Sequence, residues 1–503
     1  MLNSARGLAM QPADRSRPPS GGSGMLANAG ALIASRLAIA ALGWVGTLLI
    51  VRALSVDDFG RFTFIFSVLG VLTIVTDMGI GRVALSGMLK TSGDRAGFAG
   101  SYILLRCLLG FLGYLVALAF VSAAGYSAEI VRATAVAGVV VVLSTPSHAY
   151  STVFQAHRRL RGVALTEVVG RAAQLALTAA IAAAGGSLLL FTLPAVLAEV
   201  VVLALVIPMA RRLLAIRYRV DLPTWWSMLR EAAPLSIGTA LATIYYWVDS
   251  IILSKLDGFA AVGVYGVAYK FVDLAQFAST AVTVAILPLL VAAWPDRPEA
   301  FRFSLRRGAT ILALVGGWIV VEFTLFAEPV VRLLYGEVYA VGANAARIVV
   351  AAACLTYFTS LALITLVAVG RHRRYPLVAL VGLAINVGLN LALIPAYSYL
   401  GAALATLATD VVVVVWICWE VRRIEGLRPL PRPPMLRMLT VIAVTAASGW
   451  ALSQLVPWAV AATLVACVYL AAVVVLRAAG PDGLHALRHD AAPLPRATDR
   501  VSR

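Results

Sequence analysis

The stretch VRALSVDDFGRF (51–62) returns 203 residues later as LSKLDGFAAVGVY (253–265), matching Arg52 with Lys255 and Gly60 with Gly263. Each copy lies between two long apolar runs, so each reads as a short connection leading into a helix. Two further echoes follow in the same order. HRR (157–159) recurs as HRR (372–374), an offset of 215 that also carries Arg132 onto Arg347. LAEVVV (197–202) recurs as ATDVVV (408–413), placing Glu199 over Asp410. With six apolar runs in each half, the halves share one orientation, and parallel repeats of this kind are a transporter architecture with the substrate between them.

The composition agrees. Sixty-one per cent of the 503 residues are hydrophobic and 13% charged, and the mean hydropathy is +0.91. A soluble domain is about 45–50% apolar and about 25% charged, so this chain is not one. Apolar runs of roughly 20 residues, the length that crosses a hydrocarbon core, recur throughout. The expected fold is an all-α polytopic membrane protein with 14 transmembrane helices: two parallel-repeat six-helix bundles plus two C-terminal helices. The first six spans are placed at 29–51, 62–84, 97–121, 131–154, 163–184 and 188–210. The other eight are 233–255, 263–291, 308–327, 346–369, 377–395, 400–421, 438–455 and 458–476.

The domain organisation follows from these spans. A disordered tail (1–28) precedes the N-terminal bundle (29–210), and a linker (211–232) leads to the C-terminal bundle (233–421). A loop (422–437), helices 13 and 14 (438–476) and a second disordered tail (477–503) complete the chain. The first tail lacks the apolar core of a signal peptide, and Met25 can serve as the start as well as Met1. Trp225, Trp226, Met228 and Leu229 beside arginines make the linker an amphipathic segment of the cytoplasmic interface.

The net charge of +17 does not signal nucleic acid, because the arginines sit between apolar runs rather than on one soluble face. With both termini cytoplasmic, 31 Lys/Arg fall on the cytoplasmic side, six on the other and four within spans, a strong positive-inside bias. The expected location is the bacterial inner membrane. The four cysteines stand alone in apolar helices and the five histidines form no cluster, so no metal site is expected.

A charge near the middle of a span costs about 2.5–3.5 kcal/mol on insertion scales and usually faces protein or water. Four cations qualify: Arg36, Arg106, Arg171 and Lys270. Lys270 is one of only three lysines against 38 arginines, and its repeat partner is Ser67, so the shared scaffold does not demand it. It either grips a ligand or pairs with Asp273 three residues on. Arg171 has Glu167 one helical turn earlier, an order that favours local neutralisation. Arg36 and Arg106 have no acid nearby in sequence and need one from another helix or from a ligand. Asp249, Asp273, Glu199 and Asp410 are the intramembrane acids, open to coupling an ion or to pairing with those arginines. Asn386 and Asn390, four apart on one face, bond either neighbouring helices or a substrate.

Several segments resemble the polysaccharide flippase family of the multidrug/oligosaccharidyl-lipid/polysaccharide exporter superfamily. They are VRALSVDDFGRF (51–62), TDMGIGR (76–82), VGVYGVAYKF (262–271), AILPLL (285–290), LLYGEVY (333–339) and NVGLNLALIPAYSYLGAALAT (386–406). The resemblance implies two bundles in a V around a central cavity. It also implies flipping of an undecaprenyl-diphosphate-linked oligosaccharide, by alternating access, for lipopolysaccharide or exopolysaccharide synthesis. A basic residue commonly follows Tyr-x-x-Ala-x in span 8 of that family, and here it is Lys270. By span, Arg36 and Arg106 correspond to cavity arginines of the related lipid II flippases. No cofactor is implied beyond a proton or Na+ as coupling ion. The implied partners are the lipid-linked oligosaccharide, membrane lipid, a polysaccharide polymerase and a chain-length regulator. Two rivals stand beside this expectation: a cation-coupled multidrug exporter of the same superfamily, and a membrane-embedded polymerase or ligase. The second conflicts with the short exterior loops, which leave no room for a catalytic domain.

Overall fold

Apolar runs become helices here because a backbone without water must satisfy its hydrogen bonds internally. The computed structural model describes residues 22–476, except 78, 91–93, 158 and 425–431. Of the two expected tails, 1–21 and 477–503 lie outside the described residues, whereas 22–28 already belong to the first helix. The first half contains α1 (Gly22–Ala53), α2 (Val56–Asp77), α3 (Ile80–Lys90), α4 (Arg95–Ala123), α5 (Ala128–Ala156), α6 (Leu160–Ala183) and α7 (Leu188–Leu213). The second contains α8 (Leu222–Leu256), α9 (Phe259–Ala293), α10 (Pro298–Tyr335), α11 (Glu337–Ala340), α12 (Ala343–Ala368) and α13 (Tyr375–Arg422). The chain ends in α14 (Arg432–Leu455) and α15 (Trp458–Val475).

Among the described residues, twelve helices are long and apolar enough to cross a membrane, so this is a multi-pass membrane protein. The count falls below fourteen at two places. α2, 22 residues long, is not among the twelve. α13 runs for 48 residues but breaks at Ser398 (φ 55°, ψ −138°). A straight helix of that length would measure about 72 Å, over twice the hydrocarbon thickness of about 30 Å. Two more boundaries differ from expectation. Span 2 does not continue to residue 84: the chain turns at Gly79 (φ +65°) and restarts as α3. The amphipathic linker is shorter than expected, since Trp225 to Leu229 form the first turns of α8.

The order of neighbours in one half recurs in the other. α1 packs on α6, α4 on α5, and α2 on both α4 and α5; likewise α8 packs on α13, α10 on α12, and α9 on both α10 and α12. The last two helices pair with each other and lean on α10.

The halves meet where α2 crosses α9. A Cβ on Gly60 would lie 1.7 Å from the Phe259 carbonyl oxygen, and one on Gly263 would lie 2.3 Å from that of Val56. The two backbones therefore touch, as only small residues permit. Phe59, Phe64, Ile65, Val262 and Tyr265 close over the contact as one buried cluster. The matched cations Arg52 and Lys255 clasp it reciprocally. Arg52 donates from Nε and Nη2 to the carbonyls of Leu334 (2.9 Å) and Leu333 (2.7 Å) at the end of α10. Lys255 donates to the Ala124 carbonyl at the end of α4 (2.5 Å), with its Nζ 3.6 Å from the centre of the Tyr126 ring.

At the opposite end, residues 214–221 form an extended connection between the halves. The Arg217 amide donates to Ala96 O (3.2 Å), and its guanidinium donates to Asp94 Oδ1 (2.5 Å). Trp225 Nε1 donates to both the hydroxyl and the carbonyl of Ser101, at 2.9 Å each. Asp94 also caps α4 through the Gly97 amide. That bond, and then Arg217, hold its carboxyl below the ordinary value.

Replacing Gly60 or Gly263 with alanine is expected to pry the crossing apart at a cost of about 2 kcal/mol. Amide exchange should rise over 56–66 and 259–268, while Gly43→Ala, which meets nothing within 4 Å, should leave it unchanged. Unaltered exchange in the first two variants would contradict the contact. A second expectation concerns the connection. Because folding lowers the Asp94 value, its contribution is present above the unfolded value of about 3.9 and is lost only as pH falls through the lower folded value. Exchange over 214–221, corrected for its intrinsic pH dependence, should stay flat down to about pH 4. Asp94→Asn should speed tryptic cleavage at Arg217 and Arg219 already at neutral pH.

Candidate functional site

Helix α9 places Lys270 eleven residues from its start, about 16 Å along the axis. Its Nζ stands 3.6 Å from Asp273 Oδ2, and the two side chains are 29% and 48% exposed. Asp273 also accepts a short hydrogen bond from Tyr246 on α8. An ammonium carries three donors, so one long contact leaves Lys270 with most of its bonding capacity unused. The i, i+3 pair expected from the sequence does form, but it is loose and open.

Behind this face, between α8, α9 and α13, lies a buried polar cage. Asp249 is 1% exposed. It accepts from Tyr265 Oη (2.7 Å), Thr406 Oγ1 (2.7 Å) and Asn390 Nδ2 (2.8 Å). Tyr269 adds a longer contact of 3.4 Å. Asn386 adjoins the same carboxylate, and the amide oxygens of Asn386 and Asn390 have no donor among the described residues. The cage thus holds a buried carboxylate beside two amide oxygens that have no donor among the described residues. That carboxylate can hold a proton. One turn beyond Thr406, Asp410 accepts from Tyr245 Oη at 2.7 Å. A second aromatic contact, Tyr246 edge-on to Tyr269 at 5.7 Å, joins the cage to the Lys270 face.

In the first half the charges pair differently from the sequence expectation. Arg106 is 2% exposed and its guanidinium is occupied. Nη1 donates to Thr76 O (2.5 Å) and Asp77 Oδ1 (2.8 Å), and Nε reaches Thr145 O (3.4 Å). It seals the point where α2 ends, so it is not free to meet a ligand as it stands. Glu167 does not neutralise Arg171; it pairs with Arg36 at 3.3 Å, across from α6 to α1. Arg171 instead donates to Gln174 (2.6 Å) and stays exposed. Glu199 feels both Arg171 and Glu167 but bonds neither arginine named as its partner, and Asp410 is equally separate from them. Neither the pairing of Asp77 with Arg106 nor the tyrosines Tyr245, Tyr246, Tyr265 and Tyr269 around the acids was foreseen from sequence. Their signal was present: Tyr265 and Tyr269 are four apart on one face, and a buried tyrosine needs a partner for its hydroxyl.

Comparisons with known proteins can now be placed on this frame. Residues 25–294 match the family described as "Polysaccharide biosynthesis protein", and residues 234–392 match MatE. The structure is similar to that of lipid II flippase MurJ in an inward closed conformation (TM-score 0.73, 14% identity, 89% of this chain and 98% of that one). It is similar to an inward-facing multidrug resistance MATE family transporter of the MOP superfamily (TM-score 0.64, 16% identity, 75% and 93% covered). It is also similar to the MATE multidrug transporter DinF-BH in complex with R6G (TM-score 0.58, 14% identity, 79% and 96% covered). No curated protein sequence matches.

The fold is therefore similar to that of lipid II flippase MurJ and the MATE family transporters, in a multi-pass membrane protein. The chain belongs to the polysaccharide biosynthesis protein family, whose model spans more than half of its length.

The two central cations should respond differently to neutralisation. Arg106→Gln breaks a buried pair and strips three acceptors, with an expected loss of about 3 kcal/mol and a clear drop in Tm by thermal unfolding in detergent. Lys270→Gln, in an open pair worth at most about 1 kcal/mol, should leave Tm essentially unchanged. Equal losses would contradict the assignment of Arg106 to structure and Lys270 to a free site.

Proposed function

We propose that this transporter flips an undecaprenyl-diphosphate-linked oligosaccharide across the bacterial inner membrane, by alternating access, for surface polysaccharide synthesis. The observation that carries this reading is Lys270: a partly exposed cation eleven residues into α9, with donors to spare. A diphosphate needs such a cation in a low-dielectric cavity, and Lys supplies it as a point charge. Arg171, another exposed cation within a span, adds to the positive charge of the chain's interior. The prenyl tail stays in lipid while the sugar head passes between the halves.

In this reading the membrane is crossed fourteen times, counting α2 and both arms of the broken α13. Each half is a six-helix bundle of the V, α14 and α15 form the added pair, and both termini are cytoplasmic. The α2/α9 crossing then closes the exterior side, and the 214–221 connection lies at the cytoplasmic face. The Asp249 cage supplies the coupling element, charged or discharged by Na+ or a proton, with Asp410 beside it. A polymerase and a chain-length regulator take the product on the far side.

The MatE match and the likeness to multidrug transporters favour a second reading, a cation-coupled drug exporter. Against it stands the sign of the open site, because cationic drugs seek carboxylates. Leaflet-resolved flipping of labelled lipid-linked oligosaccharide in proteoliposomes tests the choice. Wild type should flip, Lys270→Ala should lose at least tenfold, a loss of about 1.4 kcal/mol, and exchanging Lys270 with Asp273 should not restore it. Asp249→Asn should remove the response to an imposed Na+ or proton gradient. Normal flipping by Lys270→Ala, or drug efflux in place of flipping, would overturn the reading.

A further inference from the structure

A second cationic site lies away from Lys270. At the connection end of the first half, α1, the α5–α6 turn and the last turns of α7 enclose a cavity of about 1000 Å³. Four arginines line it: Arg36 from α1, Arg159 and Arg161 from the turn and start of α6, and Arg212 from α7. The one acid on its wall is Glu167, already paired with Arg36 at 3.3 Å. Among the described residues, Arg159, Arg161 and Arg212 have no ion-pair partner, and all four arginines are exposed. Gln155 on α5 adds a neutral polar group, and Phe154, Val163 and Met209 give the cavity an apolar floor.

Arginines at helix ends often do no more than set topology, and for that purpose they need only lie somewhere in a loop. Here they converge from three separate elements on one concave space, with three of four unneutralised. Concavity concentrates the field of like charges. The forked guanidinium matches phosphate oxygens in pairs. An apolar floor beneath a cationic mouth suits a phosphate that is attached to a hydrocarbon rather than a free one.

We propose that this cavity is a lipid-phosphate binding site, the point of first capture from which a phosphorylated lipid passes to Lys270. The proposal rests on the flippase reading for its place in the sequence of events, but not for the chemistry of the ligand. Glu167 sets the threshold: an arriving phosphate displaces it from Arg36, so the site discriminates against anions too weakly charged to compete.

Binding of farnesyl diphosphate and of inorganic pyrophosphate to the purified full chain in detergent, followed by thermophoresis, tests it. Farnesyl diphosphate should bind more tightly than pyrophosphate. The triple variant Arg159→Ala, Arg161→Ala, Arg212→Ala should weaken it by roughly tenfold or more, as the loss of several charge-assisted bonds requires. Glu167→Gln should tighten it severalfold, a gain that a misfolded protein cannot produce. If the triple variant and Glu167→Gln both bind as wild type does, the site is refuted; if pyrophosphate binds as tightly as farnesyl diphosphate, the lipid assignment is refuted. In proteoliposomes, a triple variant that flips lipid-linked oligosaccharide at the wild-type rate refutes first capture. A protein that shows these binding dependences yet flips no lipid-linked oligosaccharide refutes the flippase reading and leaves the phosphate site standing.

Discussion

Everything in this molecule is arranged around the backbone contact between α2 and α9. Two glycines at equivalent positions of the repeat let the helices touch, and a cluster of aromatic and β-branched side chains closes over them. The halves also meet beyond this point, where α8 packs on α2 and Trp225 bonds Ser101 at the far end.

The polar groups divide by how fully their bonds are satisfied. Arg106 has its guanidinium committed to Asp77 and two carbonyls, and in that state it is mortar. Asp249 is enclosed by hydroxyl and amide donors, and two amide oxygens beside it have no donor among the described residues. Lys270 is held by one long ion pair and keeps donors unused. Charged residues of the same types thus differ in how far they are committed, according to burial and partner count.

The sequence disclosed the helical class, the repeat and the spans that bear charge, because apolar length and matched spacing are local properties. Gly60 and Gly263 could be paired from the repeat alone, although why glycine was required became apparent only when the backbones met. Side-chain partnership was much less legible. Glu167 lies four residues from Arg171, yet it bonds Arg36 on another helix, since a long side chain in a bundle chooses by tertiary distance rather than by turn. Asp77 ends α2, and the break at Gly79 leaves its carboxylate and the Thr76 carbonyl for Arg106 to fill. The α13 break at Ser398 falls between the expected spans 377–395 and 400–421, where segment length asks for an interruption.

The clasps at the crossing have a consequence for how the seal can be opened. Arg52 and Lys255 close on main-chain carbonyls at the last turns of α10 and α4, groups that helices leave unpaired in any case. A carbonyl does not titrate, so the latch is blind to protons, and acidity on its side of the membrane cannot unfasten it directly. It also carries no acidic partner to be screened or swapped. Because each half holds the end of the other, parting the crossing means breaking both fastenings.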